Sequence, residues 1–213
     1  MIYDLEAGDV GLLVIDVQQE YFKTDGPAAF PSAELILPNV NRLIQSFRDA
    51  EKAIVFVKHM NRADGSDVGR MGDFSDPDDQ DAFIEGTPEV EFLPELDFRA
   101  DDIVVVKRRY SAFIGTDLES ILRTLGVNSV VITGLMTSFC CETTARDAHG
   151  RDYEVLFVSD ANEGPDLQDA EGKIVDHTAV LSNTITALSA GFAEVVTTDE
   201  VIARLSVEQS PLD

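Results

Sequence analysis

Six short runs of almost unbroken apolar residues, with segments of helical periodicity between them, constrain this chain more than any other feature. The runs are residues 11–15 (GLLVI), 53–57 (AIVFV), 103–106 (IVVV), 129–133 (SVVIT), 154–158 (EVLFV) and 193–196 (AEVV). A strand with one wet face alternates apolar and polar residues, whereas a strand covered on both faces is apolar throughout. Alternation of such strands with helices predicts an α/β fold, a three-layer, Rossmann-like parallel sheet with helices on both faces. No Pro/Gly/Ser-rich linker and no internal repeat divides the 213 residues, so a single domain, 1–213, is expected.

Two of the intervening helices have clear faces. Residues 33–51 place Leu35, Val40, Leu43, Ile44 and Phe47 at helical spacing, and residues 116–125 do the same with Leu118, Ile121, Leu122 and Leu125. The second opens with Thr116-Asp117-Leu118-Glu119, a capping-box pattern. Residues 61–101 break the alternation, being rich in Asp, Gly and Pro but carrying Phe74, Phe83, Phe92 and Phe98. So long a stretch without a clear element is either a functional excursion or a disordered insert, and its spaced aromatics favour an ordered excursion over the site.

Charge excludes several function classes. With 40 acidic against 16 basic residues, the formal charge is −24, which opposes phosphate backbones and anionic membranes, so neither nucleic acid nor membrane is an expected partner. Self-repulsion on this scale is tolerated where salt screens it, and only five residues are lysine, so a halophilic source is expected. The first fifteen residues lack a basic start and a small-residue cleavage site, and no apolar run reaches the roughly 18 residues of a membrane span. A cytoplasmic location follows as the expectation. The adjacent Cys140 and Cys141 cannot form a disulfide framework, and His59, His149 and His177 lack metal-ligand spacing, so no structural metal is expected.

Ligands of open parallel sheets bind beyond the carboxyl ends of the strands. Three chemically capable residues fall there: Asp16 after the first run, Lys107 after the third, and Cys140 in the turn GLMTSFC after the fourth. A thiolate nucleophile is favoured by a helix N-terminus and a nearby ammonium, which lower the thiol pKa. An aspartate beside it can take the thiol proton and return it to a leaving amine, while Lys107 holds that aspartate. Backbone N–H groups of residues 135–140, those of Met136 and Cys140 in particular, are placed to form an oxyanion hole. Each residue also has a plain structural alternative: a packed thiol, a turn-capping aspartate, a surface lysine in the run KRR. Cys141 is read as core, since a helix does not aim adjacent side chains at one site.

Three segments in order resemble the isochorismatase-like cysteine hydrolase superfamily: LLVIDVQQEYF, with a D-x-Q on its first strand; KRRYSAFIGTDLESILRTLGVNSVVITGL; and GLMTSFCCETTARDAHGRDYEVLFVSDA. With the closing AGFAEVVTTDEVIARL the resemblance spans nearly the whole chain. That superfamily includes isochorismatases, nicotinamidases, N-carbamoylsarcosine amidases, ureidoacrylate hydrolases and biuret hydrolases. The resemblance implies that Asp16, Lys107 and Cys140 form a catalytic triad, that the sheet has six strands in order 3-2-1-4-5-6, and that a non-proline cis peptide lies between Leu135 and Met136. It also implies self-association as a dimer or tetramer, a small-molecule substrate and no cofactor.

Two departures narrow the reaction. True isochorismatases carry Gly where Cys140 stands, so the thiol points to C–N hydrolysis of an amide, ureido or carbamoyl compound through a thioester. Nicotinamidases show a D-W-H-x-x-x-H metal segment after the second strand. Here the region reads KHMNRADGSD, with the single His59, which points away from nicotinamide and from a bound metal. For a substrate carboxylate, Arg109 is the expected cation, with Arg62 and Arg70 behind it. Gln18, Tyr21, Phe22, His59, Asn61, Tyr110 and Phe113 are the expected pocket residues. The alternatives are an isochorismatase-type or other non-amidase hydrolase and a catalytically silent binding protein on the same scaffold.

Overall fold

The computed structural model describes residues 2–3, 9–23, 28–74 and 82–207. All six apolar runs are strands: β1 (Val10–Ile15), β2 (Ala53–His59), β3 (Ile103–Lys107), β4 (Ser129–Leu135), β5 (Glu154–Glu163) and, after a short hairpin of β6 (Leu167–Gln168) and β7 (Ile174–Val175), β8 (Glu194–Val196). The sheet runs β3-β2-β1-β4-β5-β8 with every pair parallel, which is the expected six-stranded order, the hairpin lying outside the sheet.

Strand alternation divides the core into two layers of packing. Leu12 and Val14 face one side with Val40, Leu43, Ile44 and Phe47 of α1 (Leu37–Asp49) and Val201 and Leu205 of α5 (Thr198–Val207). Leu13 and Ile15 face the other with Leu118 and Leu122 of α2 (Leu118–Thr124), Ala145 and Ala148 of α3 (Glu142–His149), and Leu188 of α4 (His177–Ser189). Each of the valine, leucine, isoleucine and phenylalanine side chains contributes about 1.5–3 kcal/mol on burial.

Two local expectations are corrected. The first long helix does not begin at residue 33: Pro31–Ile36 is a 3-10 turn, and α1 starts at Leu37 with Pro38 in its first turn, where the missing N–H costs nothing. The tighter period turns Leu35 outward, 64% exposed, instead of onto the core. The capping box at α2 does not form. Thr116 Oγ1 accepts from the Leu118 N–H at 3.2 Å, but Glu119 is held by Arg123 (2.6 Å) and Arg151 (2.8 Å), whose charges outcompete a neutral backbone N–H.

The excursion packs where it is described. Phe92 and Phe98 meet Phe56 of β2 edge to face with ring centroids 5.7 and 5.1 Å away, and Phe83 meets Tyr21 at 5.1 Å. Isolated bridges pair Gln18 with Phe92 and Asn61 with Ile84. Phe74 breaks the series: it is 97% exposed. No helix among the described residues is long and apolar enough to cross a membrane.

Candidate active site

The chain direction across the sheet reverses between β1 and β4, so their carboxyl ends diverge and leave a crevice. Asp16 follows β1 at φ 53°, a left-handed conformation that Asp tolerates better than most residues. Its N–H donates to Val57 O at 2.9 Å, which ties the turn to β2. On the other side of the crevice, Gly134 adopts φ 127°, and a Cβ there would stand 2.0 Å from Ile15 O. Only glycine lets β4 pass so close to the residue preceding Asp16. The peptide Leu135–Met136 is cis, as the resemblance implied.

Cys140 lies in a single π-helical turn, Thr137–Cys141, that leads into α3. The Phe139 and Cys141 N–H groups both donate to Met136 O at 3.2 Å, and the Ser138 hydroxyl bonds that of Thr184 on α4 at 2.7 Å. Insertions of this kind recur at functional sites because they re-aim one side chain without ending the helix. Cys141 turns into the core and is fully buried.

Lys107 ends β3 and reaches under β2 and β1. Its ammonium is fully buried, 2.8 Å from Asp16 Oδ2 and 3.1 Å from Cys140 Sγ. An uncompensated buried ammonium would be very costly, and the carboxylate and sulfur supply the compensation. Burial raises the Asp16 pKa against the opposing pull of Lys107, while the Lys107 ammonium is held above its ordinary range by Asp16 and Cys140 despite its own burial. Burial likewise pushes the Cys140 thiol up to about 12, with Lys107 pulling the other way. Desolvation thus works against the low thiol pKa expected from the ammonium, and the net shift is upward, which favours a neutral thiol beside a carboxylate of raised basicity.

Above Cys140 opens a cavity of about 720 Å³. Tyr21, His59, Asn61 and Tyr110 line it, as expected, together with Cys140 itself. The excursion contributes wall residues from Asn61 to Phe74 and from Ala82 to Ile84. Four expected substrate contacts lie elsewhere. Gln18 is fully buried and saturated by backbone: its Nε2 donates to His59 O (2.8 Å) and Val90 O (2.7 Å), and its Oε1 accepts from His59 N (2.8 Å). Phe22 packs on the α1-side core. Phe113 is buried beside Tyr153 and under the Arg151 guanidinium. Arg109 donates to the carbonyls of Asp67 and Arg108, at 2.6 and 2.5 Å. Of the weaker cations, Arg70 is almost fully exposed and faces Asp73, and Arg62 is exposed.

Met136, named for its backbone N–H, also lines the cavity, and sequence reasoning missed Phe139, Val68, Met71 and Pro165 in the walls. They share no spacing, since they converge from three separate loops. Among the described residues, Asp166, Asp176 and His177 alone offer clustered metal-type ligand atoms. Asp176 caps α4, Asp166 accepts from the His177 N–H, and His177 Nδ1 meets Glu163 at 3.1 Å, so hydrogen bonding accounts for the cluster.

Known proteins share this arrangement of strands. A family model, the isochorismatase domain, matches residues 10–200. Nicotinamidase 3 of Arabidopsis thaliana is 33% identical over 192 residues, 89% of this chain and 85% of that protein. A ureidoacrylate amidohydrolase of Variovorax paradoxus is 31% identical over 74% of this chain and 69% of its own length. Among solved structures, a cysteine hydrolase from Pseudomonas syringae superposes with a TM-score of 0.89 at 34% identity, covering 94% of this chain and 93% of that one. The domain match over almost the whole chain, with the sheet order and the crevice it creates, establishes that this protein belongs to the isochorismatase family of hydrolases.

Proposed function

We propose that the protein is a cysteine hydrolase that cleaves a C–N bond of a small amide, ureido or carbamoyl compound through a thioester on Cys140. The observation that carries this reading is the Lys107 ammonium lodged between Asp16 (2.8 Å) and Cys140 Sγ (3.1 Å) at the base of a cavity. Cys140 Sγ attacks the carbonyl carbon as its proton passes to Asp16, so no free thiolate is required at rest. The oxyanion that forms accepts hydrogen bonds from the Met136 and Cys140 backbone N–H groups. Collapse breaks the C–N bond, and the amine leaves with the proton from Asp16. Water, deprotonated by the same carboxylate, attacks the thioester and releases the acid and the thiol. Lys107 keeps Asp16 in place and offsets the charge that passes between carboxylate and sulfur.

The names of the two sequence relatives, a nicotinamidase and a ureidoacrylate amidohydrolase, support amide chemistry. The test is ammonia release from a panel of small amides, ureido acids, biuret and nicotinamide in about 2 M salt. Turnover that Cys140→Ala lowers at least about 1,000-fold is expected, a loss of roughly 4 kcal/mol of transition-state stabilisation; turnover that survives the substitution overturns the reading. Self-association belongs to the same proposal. α4 buries only Thr184 and Leu188 and carries no Asp, Glu, Lys or Arg, so it is a surface where two chains of charge −24 meet with little repulsion. A monomeric mass by light scattering in molar salt would count against it.

A further inference from the structure

The cavity over Cys140 is electrically unlike the rest of the molecule. Ala28, Val68, Met71, Phe83, Phe139 and Pro165 give it apolar walls, no arginine or lysine stands among its lining residues, and Asp64 is the one acid there. The segments outside the described residues contain no Lys or Arg, so all 16 cations of the chain are at described positions. Lys107, at the base, is engaged by Asp16 and Cys140. Nearby, Arg108 pairs with Asp67 at 2.6 Å and Arg109 is held by backbone carbonyls. A substrate carboxylate would give up its hydration here without gaining a counter-ion, after approaching through the field of a chain of charge −24.

Two buried polar atoms on residues of these walls have no protein partner: Nδ1 of His59, a residue 5% exposed, and Oδ1 of Asn61. Both are held by backbone. The His59 N–H is fixed by Gln18, while Asn61 donates to Phe83 O and accepts from the Glu85 N–H, each at 2.8 Å. Burial, with Lys107 and Arg108 close by, holds the imidazole well below its ordinary pKa, so the ring is neutral. Buried polar atoms left unpaired cost about 1–3 kcal/mol each, and a site built around them rejects ligands that do not satisfy them.

We infer that the substrate is an amide or ureide with an apolar body and no carboxylate, and that Asn61 and His59 are its specificity-determining contacts, Asn61 Oδ1 accepting from a hydrogen-bond donor on it and His59 Nδ1 making the second polar contact. The inference rests on Cys140 being the nucleophile and adds the substrate class and the residues that read it. It separates this chain from hydrolases whose substrates carry a carboxylate, and it removes the role expected of Arg109.

The probe is modification of Cys140 by methyl methanethiosulfonate, a small neutral reagent, in about 2 M salt, where a Debye length of a few ångströms screens the chain's overall charge. Cys140→Ala identifies the modified thiol. Benzamide is expected to protect Cys140 at concentrations at least about tenfold lower than benzoate. Asn61→Ala is expected to weaken benzamide protection, measured relative to the variant's own unprotected modification rate, roughly tenfold, the worth of one hydrogen bond of about 1.4 kcal/mol. Equal protection by the two ligands, protection by neither, or protection indifferent to Asn61 would overturn the inference. Turnover separates the two readings. If 4-carbamoylbenzoate is hydrolysed as well as benzamide and both depend on Cys140, only the substrate class fails; if neither depends on Cys140, the cysteine mechanism fails.

Discussion

At the scale of single residues, the site departs from a resting ion pair between thiolate and base. Burial raises the Cys140 pKa to about 12, which favours a neutral thiol at rest, and the side-chain hydrogen bond between Cys140 and Asp16 gives the proton a path when the sulfur attacks. Thiolate absorbance near 240 nm, taken as wild type minus Cys140→Ala, should show no titration between pH 5 and 9; a midpoint below about pH 8 would refute a neutral resting thiol. The same shift has a stability consequence. The folded chain holds this proton more tightly than the unfolded chain, whose thiol titrates near 9.0, so the contribution is complete below pH 9.0 and is lost as pH rises towards about 12. Gln18 shows how residue type misleads. A glutamine two positions from a candidate base reads as a substrate contact, but its three hydrogen bonds join the end of β2 to the turn Pro88–Val90. Gln18→Ala should therefore destabilise by about 2–4 kcal/mol, lowering Tm by roughly 4–16 °C, through the buried backbone groups it strands. An unchanged Tm with a raised KM would restore the substrate role.

At the scale of elements, the crevice depends on how β4 ends. Its register against β5 shifts between Ile132 and Gly134, and Asn162 spans the irregularity by donating to Ile132 O (2.9 Å) and Val158 O (2.7 Å). Gly134 then lies against Ile15 O, one residue before Asp16. Gly134→Ala should cost upwards of about 3 kcal/mol, because the new Cβ meets backbone and not a movable side chain, and a positive φ compounds it. The measurement is the denaturant midpoint, and a loss below about 1 kcal/mol would mean that β1 and β4 separate easily. The strands themselves were legible in the chain, since a strand covered on both faces has to be apolar along its length. The helix starts were less so: Leu35 and Glu119 fit their patterns but are redirected by a 3-10 turn and by neighbouring guanidinium groups.

For the whole molecule, charge is the governing quantity. At −24 the folded chain repels itself, and salt bridges such as Arg48 to Asp102 (2.7 Å) offset only a small part of that. Raising salt from about 0.1 to 2 M shortens the Debye length from roughly 10 Å to about 2 Å, so Tm should climb by 10 °C or more. A Tm that is flat or falls with salt would remove the halophilic interpretation. Among the described residues, the cavity walls, with Asp64 as their one acid, and α4, with no Asp, Glu, Lys or Arg, are surfaces where burial meets little like charge.

The strands, their burial on both faces and the three residues at the strand ends could be read from the chain alone, because these follow from local apolar runs and from positions next to them. Tertiary structure alone decided which side chains meet in the cavity. Phe22, Phe113 and Arg109 have the right chemistry but point into core or onto backbone carbonyls, while Met136, Val68 and Pro165 arrive from separate loops. The physical reason is that strands are fixed by short-range pattern and burial, whereas the walls of a cavity are set by loops whose paths depend on distant partners, as Gln18 does on Val90 and Asn61 on Phe83.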